Sequence, residues 1–175
     1  MQSRSPALNI AREASYGRAM ITIRLPDEEA TLALGGRLGR LVRAGDVIAL
    51  HGDLGAGKTT LARGLIRAAV GPDVEAPSPT FTLLQTYDGR DVAGGHLDLF
   101  HFDLYRLENP DDVFELGWDD IAGGAALVEW PDKAGPHLPA ARLDVRLAPF
   151  GDGRVATLDM PVGDAGGWRG RLDGV

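Results

Sequence analysis

Hydrophobic and polar positions alternate from Met20 to Leu25, which predicts a strand, and the rhythm then changes. Pro26-Asp27-Glu28-Glu29 has the acidic composition of a helix's first turn. Leu32, Leu34, Leu38 and Leu41 then predict a helix from about Asp27 to Val42 with those leucines towards the core. Val47 to His51 is a short apolar run of the kind a buried parallel strand shows. After a glycine-rich stretch, Lys58 to Val70 is helical in pattern and stops at Gly71-Pro72. Ala76-Pro77-Ser78-Pro79-Thr80 cannot be helix, because its prolines hold it extended and lack backbone donors.

Further along, Phe81 to Tyr87 and His96 to Tyr105 read as strands of a hairpin, separated by Asp88-Gly89-Arg90 and Gly94-Gly95. Pro110 opens a short helix to about Leu116. Ala125 to Glu129 is a second buried strand that ends on an acid. Arg142 to Leu147 and Arg154 to Asp159 alternate like two more strands, joined across Pro149 to Gly153. Residues 1–19 lack either periodicity and are expected to be a flexible extension. Residues 20–162 form the domain, and residues 163–175 are a loose Gly-rich tail.

Composition narrows the chemistry. At 175 residues, with 44% hydrophobic and 25% charged positions, the chain is one globular domain's worth of polypeptide. It has no cysteine, which excludes thiolate nucleophiles, disulfides and zinc–thiolate sites. A formal charge of −7 argues against an extended phosphate-binding surface, so no direct nucleic-acid contact is expected and any RNA connection would run through a partner protein. The first twenty residues carry no signal-peptide core, and no apolar run reaches the length of a membrane span. The expectation is therefore a cytoplasmic protein with no membrane partner.

Gly52-Asp53-Leu54-Gly55-Ala56-Gly57-Lys58-Thr59 fits G-x-x-x-x-G-K-[ST] at every constrained position, and it lies between a predicted strand and a predicted helix. The glycines allow backbone N–H groups to point inward and cradle phosphates at a helix N-terminus. In such a loop Lys58 reaches the β and γ phosphates of ATP, and the Thr59 hydroxyl ligates Mg²⁺. The metal needs a further acid, and Glu129, emerging at the end of a buried strand, is the favoured second protein ligand; the other reading is a rim carboxylate capping a strand. Strand alternation puts His101, Asp103 and Tyr105 on one face, with His96 and Asp98 on the other, which counts against a single His/Asp metal cluster. Asp103 is either a water-orienting or base residue or a structural aspartate. Thr80 belongs either to a segment sensing the γ phosphate or metal or to a rigid turn.

Gly-Asp-Leu-Gly-Ala-Gly-Lys-Thr-Thr (through Thr60), Ser-Pro-Thr-Phe-Thr-Leu, His-Phe-Asp-Leu-Tyr-Arg-Leu, Glu-Leu-Gly and Leu-Val-Glu-Trp-Pro follow one another in order, and with them the chain resembles the TsaE (YjeE) family from about Leu25 to Arg154. The fold expected is α/β: a three-layer P-loop NTPase-like sandwich with a mostly parallel central sheet and an antiparallel hairpin portion. The resemblance implies an ATPase that supports tRNA N6-threonylcarbamoyladenosine formation by docking on a TsaB–TsaD heterodimer, hydrolysing slowly alone and faster with its partners. It implies ATP and Mg²⁺ as cofactors, a nucleotide held by Gly52 to Thr60, metal ligands at Thr59 and Glu129, and a Walker-B-like aspartate at Asp103. It also places Trp130 near the nucleotide and adds contacts from Asp27, at the start of the first helix, and from Arg154.

Two other classes stand beside this reading. A P-loop small-molecule kinase would carry an arginine-rich lid, and no Arg-x-x-x-Arg cluster stands in a credible lid position. A nucleotide-binding regulator would differ only in having negligible turnover. A GTPase would need a base-reading string such as Asn-Lys-x-Asp, which does not occur.

Overall fold

The computed structural model describes residues 10–15, 18–160 and 167–174. In chain order its elements are β1 (Ile10–Ser15), β2 (Arg18–Leu25), α1 (Glu28–Gly39), β3 (Val47–His51), α2 (Lys58–Val70), β4 (Leu84–Arg90), β5 (His96–Asp103), β6 (Ala125–Glu129), β7 (Leu143–Phe150), β8 (Gly153–Met160) and α3 (Trp168–Arg171). Short 3-10 turns at Pro110–Leu116, Trp118–Gly123 and Pro131–His137 fill the longer connections. No helix among the described residues is long and apolar enough to cross a membrane.

All eight strands join one mixed sheet in the order β1-β2-β8-β7-β3-β6-β5-β4. Alternation along the strands divides the core between the two faces. Ile48, Leu50, Leu99, Ala125 and Leu127 point to one face and pack with Leu34, Leu38, Leu61 and Leu65 of α1 and α2. Val47, Phe102, Ala126 and Val128 point to the other and pack with Val113, Trp118 and Ile121 of the 3-10 turns. Every residue of β3 and β6 is buried, as continuous apolar runs covered on both sides require.

The sheet departs from the expected mostly parallel arrangement. Only β3–β6, β3–β7 and β5–β6 pair in parallel; β1–β2, β2–β8, β7–β8 and β4–β5 are antiparallel. The parallel part is the four-strand centre β7-β3-β6-β5, with antiparallel strands on both sides. The physical reason is the path of the chain: β7 and β8 form a hairpin, and β8 inserts between β7 and β2, so α1 carries the chain past two strands before β3 begins. Helical cover is also uneven, with both longer helices on one face and only short turns on the other.

Val47–His51, Lys58–Val70 and Ala125–Glu129 have the expected bounds, and the other predicted elements are found with shifted ends, β4 running through the expected turn at Asp88-Gly89-Arg90. α1 runs from Glu28 to Gly39 with Asp27 as its N-cap, the Asp27 Oδ1 accepting a hydrogen bond from Ala30 N at 2.7 Å. Leu34 and Leu38 are buried, whereas Leu32 and Leu41 are only partly so. The core stripe of α1 also contains Gly35 and Gly39, which face α2; a Cβ on Gly35 would run into the Leu61 carbonyl, and one on Gly64 into the Leu32 carbonyl. These glycines let the two helix backbones come into contact side by side on one face of the sheet.

Described residues beyond both expected domain boundaries take part in the fold. Ile10–Ser15 of the supposed flexible extension is an edge strand paired with β2, and the expected boundary at Met20 falls inside β2. The Gly-rich tail docks through α3: Trp168 and Leu172 are fully buried, and Arg171 forms a bidentate pair with Asp46 at 2.6 and 2.8 Å. Residues 1–9, 16–17, 161–166 and 175 lie outside the described residues, and the expectations for them go no further.

Candidate functional site

β3 ends at His51, and the loop from Gly52 to Gly57 leads directly into α2 at Lys58. Two glycines make its path possible. Gly52 has φ 141°, and a Cβ there would lie 2.6 Å from the Leu147 carbonyl oxygen. Gly57 caps α2 in the left-handed region at φ 104°, with the Arg154 side chain packed where a Cβ would point. The loop therefore presents a helix N-terminus at the C-terminal edge of the parallel centre of the sheet, where ligands of α/β proteins gather.

A cavity of about 450 Å³ opens there, lined by Glu28, Leu54, Gly55, Gly57, Lys58, Thr59, Thr60, Ser78, Thr80, Asp103, Glu129, Trp130 and Arg154. Its floor follows from strand register. In the parallel β5–β6 pair Asp103 stands opposite Glu129, and in the β3–β6 pair Glu129 stands opposite Leu50, so both carboxylates emerge beside the loop.

The Lys58 ammonium donates to the carbonyls of Gly52 at 2.6 Å and Asp53 at 2.8 Å, and it sits 4.0 Å from the centre of the Trp130 ring. Burial lowers its pKa from the ordinary lysine value, against the attraction of Glu129, Asp103 and Asp53, which favours the charged form. Trp130 takes the left-handed backbone conformation, φ 57°, and its ring lies against Tyr105 with centroids 4.9 Å apart. A desolvated cation is thus held on loop carbonyls, next to open space, with two carboxylates nearby.

Glu129 is 2% exposed and accepts hydrogen bonds from Thr59 Oγ1 at 3.1 and 3.2 Å and from His101 Nε2 at 2.8 Å. A threonine hydroxyl and a carboxylate, side by side at the foot of a phosphate-sized cradle, form a hard-oxygen pair suited to a small divalent cation that keeps most of its ligands as water or phosphate. Among the described residues no group of three or more His, Asp or Glu side chains is arranged to hold a metal by itself.

Asp103 is tied differently. Its Oδ2 accepts from Ser78 Oγ at 2.6 Å and Thr80 Oγ1 at 2.9 Å, and its Oδ1 accepts from the Tyr105 backbone N–H at 3.1 Å. The Ser78-Pro79-Thr80 loop is thereby pinned to the cavity wall by the carboxylate itself. Behind the loop, Asp144 accepts from His51 Nε2 at 2.8 Å and Arg142 Nε at 2.9 Å. Burial pushes its pKa up, but those two partners outweigh burial and hold it below the ordinary aspartate value.

Of the residues singled out from the sequence, Leu54, Gly55, Gly57, Lys58, Thr59, Thr60, Thr80, Asp103, Glu129, Trp130 and Arg154 come together around the cavity. Gly52, Asp53 and Ala56 shape the loop without lining the space. Asp27 does not line it either: its side chain caps α1, and the next residue, Glu28, faces the cavity and accepts from Thr60 Oγ1 at 3.4 Å. Sequence reasoning had passed over Glu28 and Ser78 as lining residues, and over His101 as a partner of Glu129. Ser78 and His101 lay within strings already noted, but which of their neighbours they touch depends on strand pairing and loop path.

The family model described as threonylcarbamoyl adenosine biosynthesis protein TsaE matches residues 25–155. A Nostoc protein named tRNA threonylcarbamoyladenosine biosynthesis protein TsaE is 43% identical over 141 residues, covering 76% of this chain and 80% of that protein. The protein of the same name from Mycobacterium tuberculosis is 42% identical over 147 residues, covering 78% and 84%. The crystal structure of YdiB from Bacillus subtilis superposes with a TM-score of 0.66 at 30% identity, covering 85% of this chain and 90% of that one.

Proposed function

We propose that this chain, which belongs to the TsaE family, is an Mg²⁺-dependent ATPase that supports threonylcarbamoyladenosine formation in tRNA by acting on a TsaB–TsaD complex. The observation that carries the reading is the cavity itself. It joins the loop and helix N-terminus to a buried lysine and two strand-end carboxylates in the arrangement nucleoside triphosphate hydrolysis requires.

In this reading Lys58 exchanges its two carbonyl acceptors for oxygens of the β and γ phosphates when nucleotide enters, so that its charge is pre-placed and already stripped of water. Thr59 and Glu129 would hold the Mg²⁺ ion, which supplies charge neutralisation on the phosphates. Asp103 keeps Ser78 and Thr80 at the cavity wall, so their loop answers to whatever occupies the γ-phosphate position, and the second lone-pair site on Oδ1 is free to orient an attacking water. Trp130 covers Lys58 and excludes solvent from its ammonium.

Partner action rests on two further points. The family name places the chain's relatives in tRNA threonylcarbamoyladenosine biosynthesis, and the charge of −7 suits docking on proteins better than direct binding of tRNA. The nucleotide part of the proposal is tested by calorimetric titration with a non-hydrolysable ATP analogue. Binding should be saturable and should weaken about tenfold or more when EDTA removes Mg²⁺. Absence of binding with Mg²⁺ present would reject the site.

A further inference from the structure

His101 is fully buried on β5, two residues before Asp103 and on the same face of the sheet. The β5–β6 register places it opposite Leu127, one step along the face from Glu129, and its Nε2 meets Glu129 Oε1 at 2.8 Å. Its other ring nitrogen, Nδ1, is buried and has no hydrogen-bond partner among the described residues. A buried polar atom left unpaired is a cost that a leucine in the same slot would avoid, so packing alone does not account for an imidazole here.

Glu129 has two kinds of donor around it. Thr59 Oγ1 reaches both carboxylate oxygens at 3.1 and 3.2 Å, whereas His101 reaches only Oε1. A threonine that would ligate a cation through an oxygen lone pair keeps its O–H for the carboxylate, but that O–H rotates and lies almost equally near both oxygens, so it does not by itself select one of them. The imidazole N–H comes from the sheet side and stays where it is. We propose that His101 is the positioning residue for Glu129: its Nε2–H holds Oε1 and fixes the rotamer in which Oε2 is offered to the divalent cation beside Thr59. It thereby sets the affinity of the nucleotide complex for Mg²⁺ without setting the affinity for the nucleotide. This is the outer-shell role that hydrogen-bond partners of metal-binding carboxylates play generally, and it rests on the reading of the cavity as a nucleotide–Mg²⁺ site.

The experiment compares the full chain with His101→Leu and His101→Gln. ADP affinity is measured calorimetrically in EDTA, and Mg²⁺ is then titrated into each ADP complex. The leucine variant should bind metal-free ADP within about twofold of the parent but take up Mg²⁺ about 10- to 100-fold more weakly. The glutamine variant, whose amide N–H can again reach Oε1, should recover to within about threefold. Should the leucine variant not fold, His101→Met, apolar and adaptable in shape, makes the same comparison. Unchanged Mg²⁺ affinity in the apolar variant, or an equal loss of metal-free ADP affinity, would overturn the proposal while leaving the site intact. A parent ADP complex that takes up no Mg²⁺ would instead overturn the site reading together with the proposal.

Discussion

Lys58→Ala should abolish ATP hydrolysis, lowering turnover by about a hundredfold or more while the chain stays folded. The size of the effect follows from how the ammonium is held. It is 4% exposed, bonded to the carbonyls of Gly52 and Asp53, and stacked on Trp130, so its desolvation is completed during folding and not at the moment of reaction. A charge pre-placed in this way acts on the transition state at much lower reorganisation cost than a solvated one. Alanine at the first position of α2 is a good helix former, so the helix itself is not at risk. Lys58→Arg should not rescue, because a planar guanidinium does not fit the slot between the two carbonyls and the indole face. Phosphate release and circular dichroism on the same samples check both halves, and near-parental turnover in the alanine variant would remove the loop from the chemistry.

Glu129→Ala should weaken Mg²⁺-dependent hydrolysis by about 10- to 100-fold, seen as a raised Mg²⁺ requirement, with the fold retained. The variant should also be less stable. Glu129 satisfies Thr59 and the buried His101, and leaving the imidazole N–H without an acceptor costs about 1–3 kcal/mol. Glu129→Gln keeps an acceptor for His101 and should recover most of that stability without recovering the metal affinity, because a neutral amide oxygen is a poor substitute for a carboxylate on a hard cation. Rate against Mg²⁺ concentration, together with thermal unfolding, separates the two effects. An unchanged Mg²⁺ dependence in the alanine variant would take Glu129 out of the metal site.

Much of this arrangement was legible in the sequence where local pattern and chemistry coincide. Ala125–Glu129 and Val47–His51 were read with their observed ends, because strands buried on both faces are unbroken apolar runs. The loop from Gly52 to Thr59 was legible because each of its constrained positions has a steric or electrostatic reason. Pairing was not legible, since periodicity shows that a residue is in a strand but not which strand lies beside it. For that reason the two C-terminal strands were legible as joined neighbours, but the insertion of β8 beside β2 was not, nor was the position of Arg154 against Gly57.

The ends were misread for a related reason. β1 earns its place through backbone pairing at a sheet edge, where side chains need show no apolar alternation. The tail docks through Trp168, Arg171 and Leu172, three residues too few to register as a pattern among glycines. Asp27 caps α1 and does not line the cavity, whereas the next residue, Glu28, does; which of two adjacent acids faces the space depends on where the helix begins.

The measurement that tests the central claim most directly is phosphate release from ATP and Mg²⁺ by the purified chain, with and without its cognate TsaB–TsaD pair, and with Lys58→Ala in parallel. A partner-driven ATPase releases phosphate slowly alone and faster with the pair, and the variant loses both. Equal rates with and without the pair would contradict partner action.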